Sequence, residues 1–334
     1  MTVDTAPLSL PELTARLNSA STAEELSVFF DTPYILITLE GLDIDAPASI
    51  PYAPSCPIIA ITDPPGRPDV VPDFIDVVVT TEADAGLVTT AVTNNPIASM
   101  LLVQLLRHNE RVDVSGGLFA ESLAYSTLQH GAEFQSWLST RKPRPPVEEP
   151  MEPAVLVAVE DDGLRLTLNR PDKRNAYSTA MRDALCEGLR LLADDSSLRH
   201  AVLNGAGPCF CAGGDLDEFG EASDAGLAHA SRVTRSAGAL IYRLRDRIEV
   251  HLHGACIGAG IELPAFAGHI KAREDAFFQL PEVSFGLVPG AGGTVSMLPR
   301  IGRHRLAFMA LTGARVDVET ACAWGLVDEI VAHL

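Results

Sequence analysis

Hydrophobic residues recur along this chain in two rhythms, and the change between them divides it. Residues 9–30 space Leu13, Leu17, Leu26 and Phe29 at helical intervals, with Thr22 to Glu25 reading as a capping pattern. Three short apolar runs follow at 34–39, 57–61 and 75–79. They are rich in β-branched residues and are separated by Pro and Gly, the pattern of buried strands. Residues 96–107 and 117–138 then return to helical spacing. Between Arg141 and Pro153 five of thirteen residues are proline, which no packed element tolerates. This stiff segment sets the boundaries: an N-terminal α/β region at 1–145, a linker at 146–153 and a second unit at 154–334.

The second unit opens with a hairpin, 155–159 and 164–168, across Glu160-Asp161-Asp162-Gly163. Helical patterns at 175–192, 227–244, 306–311 and 319–324 alternate with strands at 201–203, 248–252, 269–272, 276–278 and 327–331. Alternation of this kind predicts an α/β fold with largely parallel pairing.

Composition narrows the function. The chain has 334 residues, 47% hydrophobic and 21% charged, as in a folded globular protein. A net charge of −19 argues against nucleic acid as a partner. No apolar run reaches ~18 residues, so no membrane span is expected. The N-terminus has neither a basic start nor an apolar core, so a cytoplasmic protein with reduced thiols is expected. Six cysteines are scattered, and the pair Cys209 and Cys211 has no second pair at zinc spacing, so no metal site is predicted.

The chemistry concentrates in residues 254–294. Two glycine clusters, Gly254-Gly258-Gly260 and Gly290-Gly292-Gly293, lie there with two carboxylates in apolar settings, Glu262 and Glu282. Glu262 opens a short apolar run, 263–266, that reads as the first turns of a helix. A helix N-terminus after glycines offers free N–H groups and a positive dipole end to a developing oxyanion. Two carboxylates beside it could move protons.

A third glycine loop, FCAGGDL at 210–216, joins NRPDKRNA (169–176), HGACIGAGIEL (253–263), QLPEVSFGLVPGAGGT (279–294) and LTGARVDVETACAWGLVDEIV (311–331). The set, in this order and spacing, resembles the crotonase (enoyl-CoA hydratase/isomerase) superfamily. The resemblance implies a crotonase-type ββα superhelix that binds acyl-CoA thioesters and stabilises their enolates without metal or redox cofactor. It implies an oxyanion hole from the backbone N–H groups of Gly214 and Ala259. In hydratases of the family the acids matching Glu262 and Glu282 hold one water. Glu262 would take its proton as oxygen adds to C3, and Glu282 would deliver a proton to C2. The family's CoA-binding segments match Arg170, Lys173 and Arg174, and Ala212, Asp215 and Leu216. The expected activity is enoyl-CoA hydration, with enoyl-CoA isomerisation or other enolate chemistry as the alternative and a non-catalytic crotonase-like subunit as a rival. A homo-oligomer, trimer or hexamer, is expected.

The chain also departs from the family pattern. Ala259 replaces a glycine, Pro264 sits in the predicted first helical turn, and His269 stands where an aspartate is usual, read as a structural replacement. Family members carry two or three covering helices after the GLVDEIV strand, whereas this chain ends at Leu334. Residues 133–145, however, resemble the family's C-terminal ending, and NNPIASMLLVQLLR resembles the helix before it. The expectation is therefore a permuted arrangement. Residues 30–95 would be a degenerate crotonase-like piece, about 96–140 would cover the active site, and Arg141, Lys142 or Arg144 would lie near the CoA adenine.

Overall fold

The computed structural model describes residues 7–40, 53–63, 71–142, 151–221 and 223–334. The proline-rich stretch at 143–150, with Arg144 and most of the expected linker, lies outside them.

The N-terminal part is built on a parallel sheet of β1 (Leu8–Ser9), β2 (Ile35–Glu40), β3 (Ile58–Asp63) and β4 (Val77–Val79), in that order. Successive strand residues face opposite sides, and β3 shows it: Ile58 and Ala60 join a small core with Leu13 and Leu17, while Ile59 joins the large core. The 9–30 segment is not one helix. It breaks into α1 (Leu10–Leu17), α2 (Thr22–Glu25) and a 3-10 turn. The capping box belongs to Ser9 and Glu12, with Ser9 N–H donating to the Glu12 carboxylate at 2.8 Å. The Thr22 hydroxyl turns back to the Arg16 carbonyl instead.

Four helices follow: α3 (Glu82–Asn94), α4 (Pro96–Asn109), α5 (Val114–Gln129) and α6 (Ala132–Ser139). The sequence pattern missed α3. Its alanine- and glycine-rich face carries little amphipathic contrast, and its clearest signal is the cap, Thr81 Oγ1 accepting from Asp84 N–H at 3.1 Å. The predicted helix at 117–138 is two, broken at His130-Gly131.

The second part is a six-stranded sheet and a three-stranded one. The larger has the order β13-β10-β8-β7-β6-β5, from β5 (Val155–Glu160), β6 (Gly163–Leu168), β7 (His200–Gly205), β8 (Ile248–Leu252), β10 (His269–Arg273) and β13 (Glu329–Val331). Only the β5–β6 hairpin in it is antiparallel. The smaller joins β9 (Ala255–Ile257), β11 (Phe277–Gln279) and β12 (Val316–Asp317). Helix α7 (Thr179–Asp194) starts later than the pattern suggested, because Arg174 and Asn175 both take positive φ and Ser178 makes the cap. The 227–244 pattern is α8 (Ala225–Thr234) and α9 (Ala237–Arg243), split where Ser236 caps α9. The rest are α10 (Ala259–Glu262), α11 (Gly293–Ser296), α12 (Leu298–Ile301), α13 (Arg303–Thr312) and α14 (Val318–Trp324). No single helix among the described residues is long and apolar enough to cross a membrane.

The large core runs through both parts. Val79, Val88, Leu102, Leu106, Leu128 and Phe134 share it with Leu166, Leu203, Val250, Phe278 and Leu306. Helices α4 to α6 thus lie against the second part of their own chain. Burying the five side chains from Val88 to Phe134 contributes roughly 7–15 kcal/mol gross. A buried ionic cluster also spans the junction. Arg303 of α13 donates to Asp76 Oδ1 at 3.1 Å and to the Ile75 carbonyl at 2.9 Å, and Arg107 of α4 donates to the same carboxylate at 2.8 Å.

Candidate active site

The site forms where two glycine loops meet. β9 runs beside β11 in parallel register, and Gly258 N–H closes the ladder on the Gln279 carbonyl at 2.9 Å. The chain then turns at Gly258 with φ +50°. A Cβ there would stand 2.4 Å from Glu282 Oε1 and 3.7 Å from Glu262 Oε1, so only glycine fits and both acids reach toward this one point. Ala259 is the first residue of α10, so its N–H has no carbonyl a turn earlier to bond. The predicted helix past Glu262 is one α turn followed by a 3-10 turn, Pro264–Phe266, because Pro264 has no N–H to continue the ladder.

The FCAGGDL loop is pinned alongside. Ile257 N–H donates to the Cys211 carbonyl at 3.0 Å, and a Cβ on Gly260 would lie 2.3 Å from that carbonyl oxygen. Tyr177 then bridges Gly214. Tyr177 N–H donates to the Gly213 carbonyl at 2.8 Å and Asp215 N–H donates to the Tyr177 carbonyl at 3.1 Å. Such a bridge uses the neighbours' groups and turns the N–H of Gly214 itself away from Tyr177. Gly214, Ala259, Glu262 and Glu282 all line one cavity of about 300 Å³, with Tyr125 and Arg232. A second cavity of about 530 Å³ adjoins it, sharing Tyr177, Arg232, Gly290 and Ala291 and adding the apolar Leu118 and Phe119.

The two acids differ in their surroundings. Glu262 is 2% exposed, and its Oε2 accepts from Ala291 N–H at 2.7 Å and Gly293 N–H at 2.9 Å. Burial pushes its pKa up to about 7, and the two backbone donors hold it from rising further. Glu282 has a buried Oε2 with no hydrogen-bond partner. Burial raises its carboxyl well above the usual range, and the Glu262 charge adds to this. The geometry therefore favours an ionised Glu262 beside a neutral Glu282. That pair can accept one proton and donate another.

A third acid was not legible as a site residue. Glu121 of α5 is 2% exposed and accepts from Gly292 N–H at 2.7 Å, Thr294 N–H at 3.0 Å and the Thr294 hydroxyl at 2.6 Å. Its signal is positional: Leu118, Glu121, Tyr125 and Leu128 fall on one helical stripe, so a charged residue stands in an inward row.

The residues expected around CoA divide. Asp215 lines the cavity beside Gly214 and pairs with Lys173 at 3.0 Å. The Ala212 N–H donates to the Arg174 carbonyl, and the Leu216 carbonyl accepts from Arg141 at the end of α6. Arg141 also lies 5.3 Å over the Trp137 ring. Arg170 is spent on the chain, donating to the carbonyls of Glu152, Pro153 and Asn169. His269 stands on β10 outside the cavity, 3.5 Å from Glu329.

The family model described as enoyl-CoA hydratase/isomerase matches residues 162–333, just over half of the chain. The chain belongs to the enoyl-CoA hydratase/isomerase, or crotonase, family. Among similar members, a mevalonyl-coenzyme A hydratase of Aspergillus fumigatus is 34% identical over 170 residues, covering 51% of this chain and 63% of that protein. A 2,3-dehydroadipyl-CoA hydratase of Escherichia coli is 32% identical, covering 53% of this chain and 68% of that one. A 1,2-epoxyphenylacetyl-CoA isomerase of the same organism is 34% identical, covering 53% and 69%. The chain thus spans about two thirds of the length of these relatives. A solved enoyl-CoA hydratase from Thermoplasma volcanium superposes with a TM-score of 0.50 at 31% identity, covering 55% of this chain and 73% of that one.

Proposed function

We propose that this crotonase-family protein hydrates a 2-enoyl-CoA to a 3-hydroxyacyl-CoA. The observation that carries the reading is the convergence of Glu262 and Glu282 on Gly258, in the cavity that Gly214 and Ala259 also line. The thioester oxygen would accept from the Gly214 and Ala259 N–H groups, which take up charge as the enolate forms. The Glu262 carboxylate would remove a proton from water while the water oxygen bonds to C3. The neutral Glu282 would give its proton to C2, and the two acids would exchange states over the cycle. No step in this scheme calls for a metal or a redox cofactor.

An isomerase reading uses the same parts, since one acid can take a proton from C2 and another return it at C4. It is supported by the family description, which names enoyl-CoA isomerases beside the hydratases. Loss of the conjugated-enoyl absorbance of crotonyl-CoA, with longer and aromatic 2-enoyl-CoAs alongside, tests hydration. Conversion of a 3-enoyl-CoA to the conjugated isomer, with none of the 2-enoyl-CoAs hydrated, would replace hydration by isomerisation.

The reading extends to the whole chain. Helices α4 to α6 would be the covering helices of the family placed ahead of the core by permutation, with residues 30–95 a degenerate crotonase-like piece. Their shared core with the second part supports this. Arg141, beside Leu216 and Asp217, would meet the CoA end of the ligand. A cytoplasmic homo-oligomer, trimer or hexamer, completes the proposal.

A further inference from the structure

Four successive N–H groups, from Ala291 to Thr294, are divided between two carboxylates. Ala291 and Gly293 donate to Glu262; Gly292 and Thr294 donate to Glu121. Gly292 sits at φ 107° ahead of α11, so consecutive N–H groups open into a shallow anion-binding concavity with an acid on either side. Each part is shaped for the other. A Cβ on Gly293 would come 2.6 Å from Glu262 Cγ, and one on Gly292 would come 2.4 Å from Phe266 Cε2. The Thr294 hydroxyl donates to Glu121 while accepting from Asn109 Nδ2 of α4 at 3.0 Å. All three bonds to Glu121 are therefore donated to it, as an ionised carboxylate requires.

We propose that Glu121 is a positioning residue for Glu262: it holds the alternate N–H groups of the 291–294 segment, and its charge governs how readily Glu262 takes up a proton. This rests on the acid/base reading of Glu262 given above. The groups facing Glu121 are Glu262 from α10, Glu282 from the 3-10 turn after β11, Tyr125 one turn along α5 and Arg232 from α8. Arg232 donates to the Ser122 hydroxyl and lies 4.8 Å over the Tyr125 ring, so its hydrogen bonds fall on neutral α5 groups and not on either acid. Two buried acids then share one set of backbone donors, and ionising either raises the cost of ionising the other. Burial raises the Glu121 carboxyl above the usual range, and the Glu262 charge beside it adds to the rise.

The test is a carboxyl titration of the full chain labelled with carbon-13 at the glutamate side-chain carboxyl. The Glu262 and Glu121 resonances are assigned by their loss in E262Q and E121Q. The informative variant is T294V, which removes the hydroxyl donor from Glu121 and leaves every donor of Glu262 in place. Weaker support for the ionised form raises the Glu121 titration. Glu121 then stays neutral over a wider range, so Glu262 ionises at lower pH. The expected result is opposite movement of the two resonances by about half a unit to one unit, with the acid limb of kcat/KM following Glu262. E121Q should lower the Glu262 titration in the same direction, and if that variant does not fold, T294V decides alone. A Glu262 titration unchanged in T294V would overturn the proposal, as would a Glu121 titration that does not move. Coupled movement in a protein that hydrates no enoyl-CoA would support the coupling and sink the hydratase reading, so the two failures are separable.

Discussion

Replacing Glu262 by glutamine should make the protein more stable at pH 8 while disabling it. The reasoning starts from burial. The Glu262 pKa rises from an ordinary value near 4.5 to about 7 in the folded chain. A carboxyl raised in the folded state binds more protons folded than unfolded, so wild-type stability falls as pH climbs from the unfolded to the folded value. Across that window the loss is about 1.4 kcal/mol per unit, or about 3 kcal/mol in all by pH 8. Glutamine carries no such cost. Its single carbonyl oxygen can still accept from Ala291 and Gly293, because both now donate to the one oxygen Oε2. Urea unfolding followed by circular dichroism at pH 5 and pH 8 reads the difference. E262Q should gain up to about 3 kcal/mol at pH 8 and about 1 kcal/mol or less at pH 5. Hydration should fall roughly 10²–10⁴-fold. A variant less stable than wild type at pH 8, or equally displaced at both pH values, would show that the two N–H donors outweigh burial and that Glu262 ionises normally.

Three further outcomes follow from the same structure. The rate of enoyl-CoA hydration should rise with pH through about 7, as Glu262 ionises, and fall at higher pH as Glu282 loses its proton; a rising limb at the usual carboxylate range in kcat/KM would contradict the assignment. Asp76→Ala should cost about 3–5 kcal/mol in chemical unfolding, because it removes the buried carboxylate that Arg107 and Arg303 share, leaving Arg303 to the half-exposed Glu110 and Arg107 to the Pro54 carbonyl; a loss under 1 kcal/mol would show that the cluster is not needed. A chain beginning at Met151 should aggregate or lack activity, since Leu102, Leu106, Leu128 and Phe134 complete the core of the second part. Recovery of a monodisperse, fully active 151–334 fragment would refute that dependence.

The sequence alone determined the parts of this protein that local chemistry controls. Glycines at 213, 258 and 292 mark positive φ, and the β-branched runs mark strands, because each is a constraint within a few residues. The same holds for Gly214, Ala259, Glu262 and Glu282: their motifs fix the backbone turns that aim them, and the structure brings all four to one cavity. Helix breaks at His130-Gly131 and Arg235-Ser236 were harder, since the hydrophobic rhythm continues across them while the chain bends. What tertiary structure decided is the environment of charge. Glu121 lies 171 residues from Gly292, and nothing near it in the chain reveals that it shares a row of backbone donors with Glu262. Asp76 likewise meets Arg303 only because α13 packs against β4. Which acid keeps its proton depends on desolvation and on donors supplied from distant segments. Those quantities belong to the packed volume around a group, and they do not exist until the chain has closed upon it.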